Sequence, residues 1–152
     1  MPKSLPVLVC SRRTVLEGLG AALVAGILLD GCGPGGANLP NATTTACGGG
    51  TCIDLTDAAN QTLTEVGGTM AFDADNDTIL VARMSETEVI ALSAVCTHSG
   101  CIVDYNASAI RIDCDCHGSE SAIDGSVIRG PAAQPLKMYA ATLSGTTITI
   151  TS

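Results

Sequence analysis

The stretch from Cys96 to Ser119 limits what the chain can be more than any other. It reads C-T-H-S-G-C, then twelve residues, then C-D-C-H-G-S, and it holds both histidines and four of the eight cysteines. Cys96 and His98 are two apart, Cys114 and His117 three apart. Two Cys–His pairs on short loops can hold a metal centre through thiolates and imidazoles. Cys101 and Cys116 remain, one behind each pair, and can form a disulfide that ties the two loops together. A zinc site of two Cys and two His has no need of further cysteines and tends to space its Cys pair apart from its His pair. Here each half supplies one of each and keeps a spare cysteine.

The two boxes resemble, nearly letter for letter, the C-x-H-x-G-C and C-x-C-H-G-S motifs of the Rieske iron–sulfur family, and the resemblance runs from about Thr62 to the C-terminus. It implies one 2Fe–2S cluster, with Cys96 and Cys114 on one iron and His98 and His117 on the other. It implies a Cys101–Cys116 disulfide. It also implies tuning roles. Gly100 and Gly118 let the ligand loops pack closely with backbone N–H groups aimed at sulfur, and Ser119 matches a serine whose hydroxyl donates to a bridging sulfide. The loop 130–135, with Pro131, packs over the cluster as a third wall. One departure stands out. Family members of high potential carry a Tyr two residues after that serine, where this chain has Ser121, too short to reach the same ligand sulfur. The competing reading is a structural zinc module, colourless and redox-silent.

Aromatic residues make up only 2% of the 152 residues, so the core is built from Val, Ile, Leu and Ala and needs a staple. Beyond Cys32, thirteen acidic residues face four basic ones, a poor composition for nucleic acid or anionic lipid. The acidity reads as solubility ahead of a docking surface for a basic partner.

Residues 1–32 have the parts of an export signal. Lys3, Arg12 and Arg13 are a basic start, and Gly18 to Leu29 is an apolar run too short to span a bilayer comfortably. S-R-R-T-V-L resembles a twin-arginine signal, with Val15 and Glu17 as departures. That route suits a cluster assembled in the cytoplasm and carried across already folded. L-D-G-C, ending at Cys32, resembles a lipobox, with Asp30 the departure; an uncleaved anchor or later cleavage are the alternatives. Residues 33–60 read as a flexible Gly/Thr/Pro-rich linker with a random-coil reach of roughly 30 Å. Cys47 and Cys52 at its far side are expected to form a second, small-loop disulfide, which suits an oxidising compartment.

Residues 61–152 are expected to be the Rieske domain. Strands are predicted at 69–72, 79–84 and 88–95, at 101–105 and 109–114 around a turn, in a hairpin at 122–129 about Asp124-Gly125, and in a closing hairpin at 136–151. D-A-D-N-D-T (residues 73–78) mimics the start of a calcium loop but lacks its Gly and Glu, so it reads as a hairpin turn. The fold expected is all-β, a Rieske-type antiparallel sandwich with an inserted cluster-binding subdomain.

A ring-hydroxylating oxygenase needs two further histidines for a mononuclear iron, and the chain has none to spare. The reading is therefore an exported electron-transfer subunit, with oxidoreductase activity only as part of a complex. Its donor is a membrane quinol or an oxidoreductase subunit, its acceptor a c-type cytochrome or similar. It is tethered to the outer face of a bacterial cytoplasmic membrane through its N-terminus. A soluble-type ferredoxin for an oxygenase, or the small subunit of a molybdenum enzyme such as arsenite oxidase, are the alternatives. The short apolar segment argues mildly against a bc-type protein with a full membrane helix.

Overall fold

A computed structural model describes residues 36–74 and 76–151. The expected export signal and the lipobox-like motif at Cys32 lie outside the described residues. Eleven strands are described: β1 (Thr44–Cys47), β2 (Gly50–Asp54), β3 (Thr69–Ala74), β4 (Asp77–Arg83), β5 (Val89–Ser93), β6 (Asp104–Asn106), β7 (Arg111–Cys114), β8 (Ser119–Ser121), β9 (Val127–Arg129), β10 (Met138–Ser144) and β11 (Thr147–Thr151). A single 3₁₀ helix, Ala58–Thr64, is capped at its start by the Asp57 carboxylate, which accepts from the Ala59 N–H.

Seven strands form one antiparallel sheet in the order β1-β2-β11-β10-β5-β4-β3. β10 serves both halves: Met138 and Tyr139 pair with β5, whereas Ala140–Ser144 pair with β11. The halves thus fold over one another as the two layers of a sandwich. Ile53, Met70, Phe72, Ile79, Val81, Tyr139, Ile148 and Ile150 fill the space between them. The run T-I-L-V-A in β4 has no polar alternation because both faces are covered. Ile79 and Val81 point into the sandwich, and Leu80 and Ala82 point the other way, into a second core. Burying a Leu or Ile fully contributes about 1.5–3 kcal/mol, and seven of the largest wholly buried side chains are Ile, Leu or Met. The few aromatics are not wasted, for Phe72, Tyr105 and Tyr139 are all buried.

The second core joins the sandwich to a four-stranded sheet, β6-β7-β8-β9, inserted between β5 and β10. Its members include Leu80, Leu92, Val103, Tyr105, Ile112 and Leu136 together with Cys96, Cys101 and Cys114. The cysteines therefore sit at the seam between subdomain and sandwich. The expected strands are found with shifted bounds. The hairpin about Asp124-Gly125 is wider than expected, with Ser119–Ser121 rather than 122–123 as its first arm and a register shift at Glu120/Ser121. The Asp124 carboxylate takes the Ser126 N–H and hydroxyl and so holds the turn as an Asx-type motif. Where a hairpin turn is expected in place of a calcium loop, Asp73 pairs with Thr78 and Ala74 with Asp77 between β3 and β4, with Asn76 at φ 64°.

The expectation of a flexible linker over residues 33–60 is corrected for its described part, residues 36–60. β1 pairs with β2, and β2 with β11. Just upstream, Ala42 N–H donates to Ala71 O (2.7 Å) and Ala71 N–H to Pro40 O (2.9 Å) on β3, the opposite edge. The physical reason is pairing to distant strands. Thr, Ile and Cys are good strand residues once a partner is present, and Ile53 is wholly buried. Cys47 and Cys52 are disulfide-bonded across the β1–β2 turn.

Candidate metal centre

The two boxes fold into matching loops. In the first, Gly100 N–H donates back to Cys96 O (2.8 Å); in the second, Gly118 N–H donates to Cys114 O (2.9 Å). Both glycines sit at positive φ, 74° and 75°, where a Cβ costs energy. Nothing in the protein lies within 4 Å of where that Cβ would be, so backbone conformation, not protein packing, demands glycine. The glycine N–H groups themselves serve the loop carbonyls. The N–H groups that bond to the Cys114 sulfur belong to Cys116 and His117.

The base of the first loop is closed by Cys96 N–H to Cys101 O (2.8 Å) and by a bridge from Val95 to Ile102. The second loop grows from the end of β7, where Cys114 pairs with Ser119 on β8. Cys101 and Cys116 are disulfide-bonded and join the two loops. Closing a loop of that length contributes about 3 kcal/mol in the chain-entropy account.

The four donors separate by type. Cys96 and Cys114 are free thiols and both buried, and they contact one another through a hydrogen bond. His98 and His117 are exposed at the loop tips, their rings edge to face with centroids 4.8 Å apart. Burial pushes the Cys114 thiol above its ordinary range. Contact with Cys96 adds to the rise, and the Cys116 and His117 N–H groups oppose it. Two adjacent buried thiols resist ionising in water-poor surroundings, and a bound metal relieves that by taking both as thiolates. Among the described residues no three His, Cys, Asp or Glu converge on one point. Donors sorted into a thiol pair and an imidazole pair suit a two-iron cluster, whereas tetrahedral zinc gathers four around a single centre.

A third loop, residues 130–135, is tied to both ligand loops. Thr97 Oγ1 donates to Gln134 O (2.8 Å), and Ala132 N–H donates to Ser119 Oγ (3.0 Å). The Gly130–Pro131 peptide is cis. Ser119 is buried, and it accepts a bond as well as having a hydroxyl hydrogen to give. The Thr97 and Ala132 tethers were missed in the sequence; a hydroxyl residue between two candidate donors was the available signal. Ser121 is also buried, opposite Ile112 and Val127. Ser99 Oγ lies 3.0 Å from His98 Nδ1.

The outer face of the small sheet carries a charge ladder. Arg111 pairs with Asp113 (2.6 Å) and Glu120 (3.3 Å), and Arg129 with Glu120 (3.2 Å). Burial works against ionised Asp113, but hydrogen bonds from Arg111 and Asn106 and the Arg111 charge outweigh it, so its carboxyl stays below the ordinary range.

Comparison with known proteins agrees with this geometry. The Rieske [2Fe-2S] domain matches residues 55–140. The cytochrome b6-f complex iron–sulfur subunit of Synechococcus sp. (strain JA-3-3Ab) is 52% identical over 54 residues, covering 36% of this chain and 31% of that protein. The subunit of the same name from Chlorobaculum thiosulfatiphilum is 36% identical over 84 residues, 55% of this chain and 46% of that one. The chain thus spans less than half the length of these curated relatives. Among solved structures, the plasma membrane Rieske protein PetC3 from Synechocystis PCC 6803 superposes with a TM-score of 0.50 at 30% identity, over 56% of this chain and 87% of that one. The ferredoxin of carbazole 1,9a-dioxygenase from Nocardioides aromaticivorans IC177 gives 0.52 at 26% identity, over 57% and 86%. With the family match covering more than half of the 152 residues and the donor set suited to the cluster, the chain belongs to the Rieske [2Fe-2S] family and has one 2Fe–2S cluster.

Proposed function

We propose that Cys96 and Cys114 hold one iron and His98 and His117 the other, in the electron-carrying subunit of a membrane-bound quinol-oxidising complex. The observation that carries this reading is the sorting of donors, two buried thiols beneath two exposed imidazoles at the tips of disulfide-joined loops. The cluster, when bound, takes up and releases one electron, in roughly the −150 to +300 mV range of two-His centres. The protein does the rest. Cys96 and Cys114 keep the inner side of the site away from water. His98 and His117 bring the outer side to the surface, where the imidazole nitrogens not on iron can exchange a proton with a partner. Ser119, Thr97 and the 130–135 loop hold the cover in place.

Relatives named as subunits of cytochrome b6-f complexes support a membrane quinol or an oxidoreductase subunit as donor, and a c-type cytochrome or similar as acceptor. The plasma membrane neighbour supports a membrane location. Twin-arginine-like export and lipid attachment at Cys32 complete the proposal, on the sequence alone. The Cys101–Cys116 disulfide favours this exported class over an oxygenase ferredoxin, a type that generally lacks the pair.

Iron and acid-labile sulfide analysis, with EPR of the dithionite-reduced protein, tests the ligand set. Substituting Cys96, His98, Cys114 or His117 is expected to abolish the wild-type signal, and wild-type iron, sulfide and EPR in any one of the four variants would refute the assignment. For export, Arg12→Lys with Arg13→Lys is expected to leave the protein in the cytoplasm, and Cys32→Ala to release it from the membrane. Unchanged fractionation of either variant would remove the corresponding step.

A further inference from the structure

Residues 36–43 read as tether in the sequence, yet they are bound along their whole length. At one end, Ala37 N–H donates to Ile102 O (3.1 Å), directly behind the first ligand loop. Gly36 passes so close that a Cβ would meet Ile102 N at 2.6 Å, a backbone atom with little room to give. Leu39 packs on the core that contains Cys96, Cys101 and Cys114. Pro40 and Ala42 then bond to Ala71 on β3.

At the other end stands Asn60, a wholly buried polar side chain on the 3₁₀ helix. Its amide donates to Thr43 O (2.9 Å) and Asp54 O (2.9 Å), and its Oδ1 accepts from Thr43 N–H (2.8 Å). A buried amide that both donates to and accepts from the backbone of one residue, Thr43, specifies that residue's position, because misplacing the chain strands both partners.

We infer that residues 36–43 are a strap that fixes the exit of the N-terminal tether beside the first ligand loop. The bound part of the chain then begins by residue 36, not near residue 60. Between Cys32 and Gly36 lie four residue steps, at most about 14 Å fully extended, against the roughly 30 Å coil reach of a thirty-residue linker. A domain so held keeps its strapped end within that shorter distance of the anchor. To travel further it must first peel the strap away from Ile102 and Ala71. This reach rests on the Cys32 anchor proposed above; the strap itself does not.

Hydrogen exchange on the full-length, cluster-loaded protein tests the strap. The Ala37, Ala42 and Thr43 amides are expected to be protected together. Asn60→Ala should speed exchange at Thr43 and Ala42 by about a hundredfold, with the β10–β11 amides and the EPR signal unchanged. Gly36→Ala, at the strap's end and clear of the sandwich core, should expose the Ala37 amide alone, and it serves should Asn60→Ala fail to fold. Wild-type exchange of all three amides at unprotected-chain rates would overturn the inference. The reach is tested by EPR of the reduced cluster in oriented membrane multilayers. A strapped domain gives a signal that changes with the angle to the field, and an angle-independent signal from membrane-attached protein overturns the short tether. Protein absent from the membrane refutes the anchor and with it the reach, and leaves the strap to be decided by exchange.

Discussion

On the proposed ligand set, two serines would tune the electronic character of the site. Ser119 accepts the Ala132 N–H and retains a hydroxyl hydrogen to give; Ser121 stands where the family resemblance implies a tyrosine in members of high potential. A hydrogen bond to sulfur favours the more negative reduced cluster. One that contributes about 1 kcal/mol more in the reduced state raises a one-electron potential by about 40 mV. Ser119→Ala should therefore lower the potential by about that amount, and it also leaves Ala132 N–H without its acceptor. Ser121→Tyr should raise it by a similar amount. Ser121→Phe adds the bulk without the hydroxyl, so it separates packing from hydrogen bonding. Protein-film voltammetry reads all three, and a Ser121→Tyr potential equal to that of Ser121→Phe would show that the missing hydroxyl is not the cause. The ligand motifs were legible at this scale because six chemically constrained residues fall in two short boxes. The roles of Gly100 and Gly118 were legible only in part. Sequence shows that glycine is there but not whether φ or a neighbour requires it, and still less that their N–H groups close the loops.

The small sheet is held by packing on one face and by charge on the other. Cys114 and Ser119 pair on the inner face, while Asp113, Glu120 and Arg129 form the outer ladder. The Asp113 carboxyl is held below its ordinary range in the folded protein. Its contribution is therefore fully present above the unfolded value of about 3.9 and fades as pH falls through the depressed folded value. Asp113→Asn should cost stability at neutral pH, modestly because the pair is partly exposed. Its deficit against wild type should shrink in acid below about pH 4. Urea midpoints measured against pH check this, and a deficit that stays constant into strong acid would rule the ladder out as its source. The β1–β2 hairpin shows why an element can escape a sequence reading. Its residues, T-T-A-C and G-T-C-I-D, carry one strongly buried apolar side chain between them, Ile53. What makes them strands is β11, nearly a hundred positions later, and local composition carries no record of that partner.

At the scale of the whole molecule, the order of elements was legible and the joins were not. A thin aliphatic core follows from composition and antiparallel hairpins from residue alternation and turn chemistry, whereas the late insertion followed from the family resemblance of the two boxes. Strand β10 passing from one half of the sheet to the other, and residues 40–42 bonding to the far edge, depend on tertiary pairing.

The insertion leaves the sandwich from β5 and returns to β10, and those two strands are neighbours: Ser93 N–H donates to Lys137 O (2.8 Å), and Met138 pairs with Leu92. The two ends of the inserted segment are therefore already held together before any of it folds. The sandwich supplies the closure entropy that a free module would have to overcome. Its own strand pairing need not break when the segment opens. Loss of the visible chromophore on heating or chelation should accordingly precede loss of the far-ultraviolet sheet signal, and a single coincident transition would contradict that order. For engineering, residues 94–137 form a cassette with adjoining ends. Such a segment can be lengthened, exchanged or grafted between paired strands of another sheet, provided the host offers the apolar seat that Leu80, Ala82 and Leu92 supply here.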